Sequence, residues 1–242
     1  VIPQSQRGAL EKAISPDRLS TYRKVARDTG RDELELYVWD RDVAAGAMAD
    51  VAILEVALRN AMNECLVLMA GRPDWYCVDI GLDNRSLLAV SKAWNDVPEA
   101  RRSPGRVVAQ LMFGFWRSLL ESGGVVGAGP LKRSVAYEDL WRSHLHTAFR
   151  GGRATAKDEG ARFTRTWTLD VVKDVHALRN RAAHHEPLIS GIPVPGENRR
   201  ITTDEGLAAC TRLARLLDRD LAAWFVESSR LAVAQSRVPL PR

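Results

Sequence analysis

Residues 32–70 read DELELYVWDRDVAAGAMADVAILEVALRNAMNECLVLMA. Apolar side chains return every three or four positions: Leu36, Trp39 and Val43, then Ile53, Leu54, Val56, Leu58, Met62, Leu66 and Met69. That is the period of a helix with a buried stripe, not the alternation of a strand. The run is long for one ordinary helix, so a break is expected near residues 44–50, with Gly46 as its natural place. Gly71-Arg72-Pro73 should terminate it.

The same period continues on both sides. Ser15-Pro16-Asp17 has the form of a helix start, with Ser as N-cap and Pro at the first helical position, and Gly30 closes that segment. Downstream, a short helix is expected over 85–97. A second opens at Ser103-Pro104 and carries Val107, Leu111, Phe115 and Leu119 up to Ser122-Gly123-Gly124. Residues 123–130 hold four glycines and a proline and should be loop. Helices over 137–149 and 160–186 follow, the latter stopped by Pro187, then a turn over 191–196. A last helix over 204–228 carries Leu207, Leu213, Leu216, Leu217, Leu221 and Phe225. Alternating patterns are essentially absent. The fold class is all-α, a bundle in which the last two long helices pair antiparallel.

Bulk properties narrow the function classes. With 242 residues the chain can bury a sizeable core as one large domain, or one domain with a lobe. No apolar run approaches the roughly 20 residues of a bilayer span, so no membrane partner is expected. The start, Val1-Ile2-Pro3-Gln4, has neither a Met nor a basic-then-apolar leader pattern. Cys65, Cys77 and Cys210 are odd in number, far apart and without a CxxC pair. That suits a reducing cytoplasm and argues against a disulfide framework or thiolate zinc site. The net charge of +5 is compatible with a polyanionic partner. Arg142, Arg150, Arg153, Lys157, Arg162 and Arg165 face only Asp158 and Glu159 in their stretch. A solvated helix-loop surface accounts for that cluster as well as an RNA-contacting patch does.

Chemistry concentrates in one place. His176-Ala-Leu-Arg179-Asn180-Arg181-Ala-Ala-His184-His185-Glu186-Pro187 holds three of the five histidines. Residues four apart differ by about 40° around a helix, so Asn180 and His184 share a face, and the long Arg179 side chain can reach the same space. His184 and His185 fall in the last turn, where the negative end of the helix dipole favours imidazolium. RNA cleavage without a metal asks for this set: a histidine to move protons, a guanidinium to hold the phosphate, and an amide to orient phosphate or imidazole. A pair of histidines capping a helix C-terminus is the plainer reading of the same residues. A zinc site from His176, His184 and His185 lacks the His-Glu-x-x-His spacing and a further ligand, so neither a metal nor another cofactor is expected. The tetrapeptide Ala177-Leu178-Arg179-Asn180 echoes Ala57-Leu58-Arg59-Asn60, but the first copy has Glu64 where the second has His184.

Arg179-Asn180-x-x-x-His184 resembles the Arg-(polar)-x-x-x-His signature of HEPN-domain proteins, many of them metal-independent endoribonucleases. The string from Leu178 to Glu186 resembles more narrowly the Abi-like (abortive infection) branch. Ser20-Thr-Tyr-Arg23, the run from Leu54 to Asn60 with Trp75-Tyr76 after it, the run from Leu111 to Trp116, and Asp139-Leu140-Trp141 leading to Ala148-Phe149 agree in order. The resemblance spans roughly residues 15 to 228.

It implies an HEPN-like helical bundle with additional helices, one domain over residues 1–242, in the cytoplasm. It also implies an endoribonuclease leaving 2′,3′-cyclic phosphate ends, in phage defence or as a toxin, working as a homodimer on an RNA substrate. An antitoxin or a phage-derived trigger would be a further partner. Carried over, Arg179, Asn180 and His184 are catalytic, with His185 as a neighbour. Glu55 and Arg59 match the upstream motif, although their spacing of four is also that of an intrahelical ion pair; in a functional role they would brace the site. Arg150, Arg153, Lys157, Arg162, Arg165 and Arg181 are the candidate RNA contacts. Phe113, Phe115 and Trp116 read as core or dimer interface, and Trp75 and Tyr76 as packing. The alternative is a catalytically inactive HEPN module that binds RNA or protein.

Overall fold

The computed structural model describes residues 2–241; Val1, on which the reading of the chain start partly rests, lies outside them, as does Arg242. The first helices are α1 (Gln4–Ile14), α2 (Pro16–Thr29), α3 (Glu33–Ala70), α4 (Asn84–Asp96), α5 (Pro104–Gln110) and α6 (Phe113–Ser118). After them come α7 (Tyr137–Ser143), α8 (Gly152–Asp158), α9 (Arg165–Ala183), α10 (Thr203–Leu217), α11 (Arg219–Ser228) and α12 (Arg230–Gln235). Two antiparallel two-residue ladders interrupt them, β1 (Val125–Val126) with β2 (Arg133–Ser134) and β3 (Ile192–Pro193) with β4 (Arg200–Ile201). Helix makes up 69% of the structure and strand 3%, which settles the class as all-α. Among the described residues no helix is long and apolar enough to cross a membrane.

The expected break in the long helix does not occur: α3 runs unbroken for 38 residues. Asp32 starts it, its Oδ1 accepting the amides of Leu34 (3.0 Å) and Glu35 (3.1 Å). Gly46 serves a different purpose from the one its sequence position suggested. A Cβ there would lie 2.7 Å from the carbonyl oxygen of Arg230 and 2.9 Å from Leu231 Cα, so the missing side chain lets the backbone of α12 rest on α3. One turn on, the buried Asp50 accepts the Ser229 hydroxyl (2.6 Å) and the amides of Arg230 (2.9 Å) and Leu231 (3.1 Å), fixing the start of α12. Gly46→Ala should therefore destabilise the chain by about 1–3 kcal/mol despite the better helix propensity of Ala, through overpacking. Urea unfolding midpoints would show it; an unchanged or raised midpoint would mean α12 can shift at little cost.

The chain divides into two compact units, one made of Val1–Ala52, Ala177–Thr211 and Trp224–Arg242, the other of Ile53–His176 and Arg212–Ala223. In unit one, Leu19, Tyr22, Ala26, Leu34 and Leu36 form a buried cluster, with Leu10, Ile14, Tyr37 and Ile189 packed against it. In unit two the core is aromatic. Trp75 stacks on Phe115 (6.2 Å between centroids), and Phe115 meets Trp116 edge-on (5.0 Å). Phe113, Phe115 and Trp116 are buried, which makes them core residues of this unit.

Other helix boundaries differ for local reasons. The helix expected from 103 to 119 is split at Leu111-Met112. There the Trp116 indole donates to the Leu111 carbonyl (3.1 Å) and the Phe113 amide donates to Glu55 (3.0 Å), two groups that a continuous helix would pair internally. The last helix is split at Asp218, whose Oδ1 accepts the amides of Asp220 (2.8 Å) and Leu221 (3.0 Å) and so starts α11. The 160–186 helix begins later, at Arg165, with Thr164 Oγ1 accepting the Trp167 amide (3.2 Å). The 137–149 helix becomes α7 followed by a 3₁₀ turn over Leu145–Ala148.

Two buried phenols give a pH signature. In unit two, Tyr137 shares a hydrogen bond with Ser86 Oγ (2.7 Å), and burial pushes its pKa from 10.0 to about 12. In unit one, burial and the adjacent Asp40 push Tyr22 further up. Both phenols are neutral in either state below pH about 10; above it the unfolded chain ionises first, so stability is lost as pH rises beyond that point. In an alkaline titration, part of the tyrosinate absorbance should appear only together with unfolding. Full ionisation of all four tyrosines in the folded chain would refute this.

Candidate functional site

The last turn of α9 carries the residues that the sequence singled out. Leu178 and Ala182 are buried and hold the helix to its unit, Leu178 against Gly206 of α10. Arg179, Asn180 and Arg181 are half-buried, and His184, His185 and Glu186 are exposed. The His184 amide still bonds to the Asn180 carbonyl (3.0 Å), so His184 stands one helical turn beyond Asn180 although the helix proper ends at Ala183. The shared face expected of Asn180 and His184 is therefore preserved.

How the helix ends explains why His184 is presented. The Glu186 amide bonds to the Arg181 carbonyl (3.0 Å) and the His185 amide to the Ala182 carbonyl (3.1 Å), the two bonds of a Schellman motif. His185 occupies the left-handed position of that motif, with φ 53°, where Gly is usual. Histidine is among the few residues that enter this region with any frequency. Arg181 latches the turn: its Nε donates to the Pro187 carbonyl (2.9 Å) and its guanidinium pairs with Glu186 (2.7 Å). Arg181, a candidate RNA contact, has its side chain engaged in this turn.

The segment after the turn is pinned by Asp40 of α3. Its Oδ2 accepts the Tyr22 hydroxyl (2.7 Å) and the Leu188 amide (3.0 Å), and its Oδ1 accepts the Ile189 amide (2.9 Å). Burial pushes the Asp40 carboxyl above its ordinary value, while these three donors act in the opposite direction. Asp40 was not singled out from sequence, although a signal exists. It lies between Leu36 and Val43 on the apolar stripe of α3, and a carboxylate on a buried face implies donors waiting for it.

The remaining candidates fall in unit two, apart from this turn in the division of the chain. Glu55 accepts the Phe113 amide (3.0 Å), and Arg59 is half-buried four residues further along α3. Of the basic cluster, Arg153, Lys157 and Arg162 are exposed, and Arg150 pairs with Glu64 (3.4 Å). Arg165 is an internal brace. It is 11% exposed and donates to Glu138 (2.9 Å) and to the Leu120 carbonyl (2.5 Å). His176 lies flat on Phe113, with ring centroids 5.2 Å apart and planes at 13°. His146 donates from Nδ1 to the Trp141 carbonyl (2.9 Å), and His144 is half-buried nearby in sequence. Among the described residues no group of three or more His, Cys, Asp or Glu side chains is placed to hold a metal ion. Cys65 and Cys210 are buried free thiols and Cys77 an exposed one.

Compared with protein-family models, with curated proteins and with solved structures, the chain gives no match.

Proposed function

We propose that the chain is a metal-independent endoribonuclease of the HEPN type, with Arg179, Asn180 and His184 as its catalytic residues. The observation that supports this most directly is the presentation of His184. An exposed imidazole, one turn beyond Asn180, whose sequence neighbour Arg179 is half-buried, sits on a helix end held by a Schellman turn and by Arg181. In the proposed reaction a base takes the proton of a ribose 2′-hydroxyl, and the 2′-oxygen attacks the adjacent phosphorus. The bond to the 5′-oxygen breaks as that oxygen receives a proton from an acid. The products are a 2′,3′-cyclic phosphate and a 5′-hydroxyl. Arg179 offsets the charge that builds on the phosphoryl oxygens, and Asn180 orients phosphate or imidazole.

Base and acid are needed together, and a homodimer supplies two copies of His184 related by symmetry. Phage defence by abortive infection, or a toxin's role under an antitoxin, is the biology that goes with this activity. The test is incubation of total RNA with the chain in EDTA, followed by end-group mapping. New 5′-hydroxyl and cyclic-phosphate ends support the reading. Intact RNA, from a folded protein, would count against it and favour a binding module without catalysis.

A further inference from the structure

Beside the His184 turn lies a cavity of about 250 Å³ that belongs entirely to unit one. Its walls come from α2 (Arg18 and Tyr22), α3 (Tyr37, Asp40 and Arg41) and the turn after α9 (His185). Its size is below the roughly 300–1,000 Å³ of pockets for drug-sized ligands, which suits a single ring system.

We propose that this cavity is a nucleobase subsite of the same RNA-binding surface, with Tyr37 as the stacking platform and Arg18 as the contact to a flanking phosphate. The inference rests on reading the chain as RNA-acting, and it adds where a base sits.

Four observations carry it. Tyr37 is half-buried, leaving part of its ring accessible, and Tyr22 braces it edge-on at 5.2 Å and 74°. An aromatic ring held in place by its neighbours is the usual platform for an unstacked base. Arg18 is exposed on the rim, and its guanidinium makes no hydrogen bond or ion pair with the described residues, whereas Arg41 is engaged by Asp42 (2.7 Å) and Arg181 by Glu186. A cation left open beside an aromatic wall suits a phosphodiester better than it suits an apolar ligand.

Asp40 supplies the third observation. Its Oδ2 already receives two hydrogen bonds and its Oδ1 one, so a carboxylate with about four acceptor positions has one left. An exocyclic amino group can fill it, which favours adenine, cytosine or guanine over uracil. The fourth is His185, which lines the cavity in its left-handed conformation and is adjacent in sequence to His184. The cavity and the proposed cleavage residue thus share one turn. A non-glycine residue held at positive φ is the kind of stored strain that accompanies binding sites.

The probes are the four ribonucleoside 3′-monophosphates, titrated into the full chain by calorimetry. The expected result is binding in which the uridine compound is weakest. Arg18→Ala and Tyr37→Ala should each weaken the tightest of the four by about tenfold or more. Tyr37→Phe should keep most of the affinity, because the ring is retained, and Arg27→Ala on the same helix should leave it unaltered. Arg18 is exposed, so its replacement keeps the test decisive even where Tyr37→Ala fails to fold.

No measurable binding by the wild-type chain, or binding indifferent to Arg18→Ala, overturns the proposal, and equal affinity for the uridine compound overturns the role of Asp40. The result is separable from the catalytic reading. A chain that binds nucleotides with these dependences yet never cuts RNA keeps the subsite and loses the nuclease. A chain that cuts RNA, with the same sites chosen and nucleotide binding unmoved in Arg18→Ala, keeps the nuclease and loses the subsite.

Discussion

His184→Ala should lower the rate of RNA cleavage in EDTA by at least about a hundredfold, the smaller end of what a positioned general acid or base contributes. Arg179→Ala should lower it by a comparable factor, through loss of the guanidinium that offsets charge on the phosphoryl oxygens. The two differ in what else they change. His184 is exposed and lies beyond the end of α9, so its removal should leave the thermal midpoint where it was. Arg179 is half-buried, so its variant needs a stability check alongside. Arg179→Lys separates the two roles, because it keeps the charge and loses the planar fork that holds a phosphate by two hydrogen bonds. A partial recovery by Lys would point to charge, and none to bidentate geometry. Initial rates on one defined RNA, with folding followed by circular dichroism, are sufficient. Wild-type cutting by His184→Ala would remove the proposed site altogether.

What could be read from sequence is divided by range of interaction. The helical class followed from periodicity, because a residue's position on a face depends only on its neighbours three and four away. The cluster from Arg179 to His185 was legible for the same reason: its members lie within seven consecutive residues, the end of α9 and the turn that closes it. Gly46 was misread because its partner, the backbone at Arg230 and Leu231, is more than 180 residues away, and a glycine that ends a helix looks the same in sequence as one that admits a neighbour. The split at Leu111-Met112 depends on Glu55 and Trp116 taking groups out of the helical ladder, which no local pattern announces.

Asp218 is a different case. An Asp followed two and three residues later by amides needing an acceptor is a local signal, and here the apolar period through Leu216, Leu217 and Leu221 obscured it. The basic cluster shows the opposite error. Charge counting treats Arg153 and Arg165 alike, yet one is exposed and the other is tied to Glu138 and Leu120, and only the fold separates them. The cavity beside His185 is assembled from α2, α3 and the turn after α9, so it had no sequence signature beyond the single carboxylate on the stripe of α3.

That carboxylate gives the largest expected effect on stability. Asp40→Ala leaves the Tyr22 hydroxyl and the amides of Leu188 and Ile189 without their acceptor in a site where Asp40 itself is 3% exposed. A buried donor left unsatisfied costs about 1–3 kcal/mol, and the three do not add in full, so a loss of about 3–5 kcal/mol is expected. Against a total stability of roughly 5–15 kcal/mol that is a large share. Asp40→Asn should lose less, since its oxygen still accepts while its NH₂ faces a donor.

The pH dependence has a definite sign. Burial holds the folded-state pKa of Asp40 above the unfolded one, so the unfolded chain gives up this proton first as pH rises. The contribution of Asp40 is therefore greatest below the ordinary carboxylate pKa and is lost as pH climbs through the raised value. Asp40→Asn has no such proton, so the advantage of wild type over that variant should be widest in acid and narrow toward neutrality. Urea midpoints at several pH values measure it; an advantage that grows with pH would mean hydrogen bonding outweighs burial at this carboxyl. Because Leu188 and Ile189 follow directly on the turn that presents His184 and His185, the same variants should lose RNA cleavage in step with the fixing of that segment. Cleavage at wild-type rates by folded Asp40→Asn would show that the His184 turn holds its shape without this anchor.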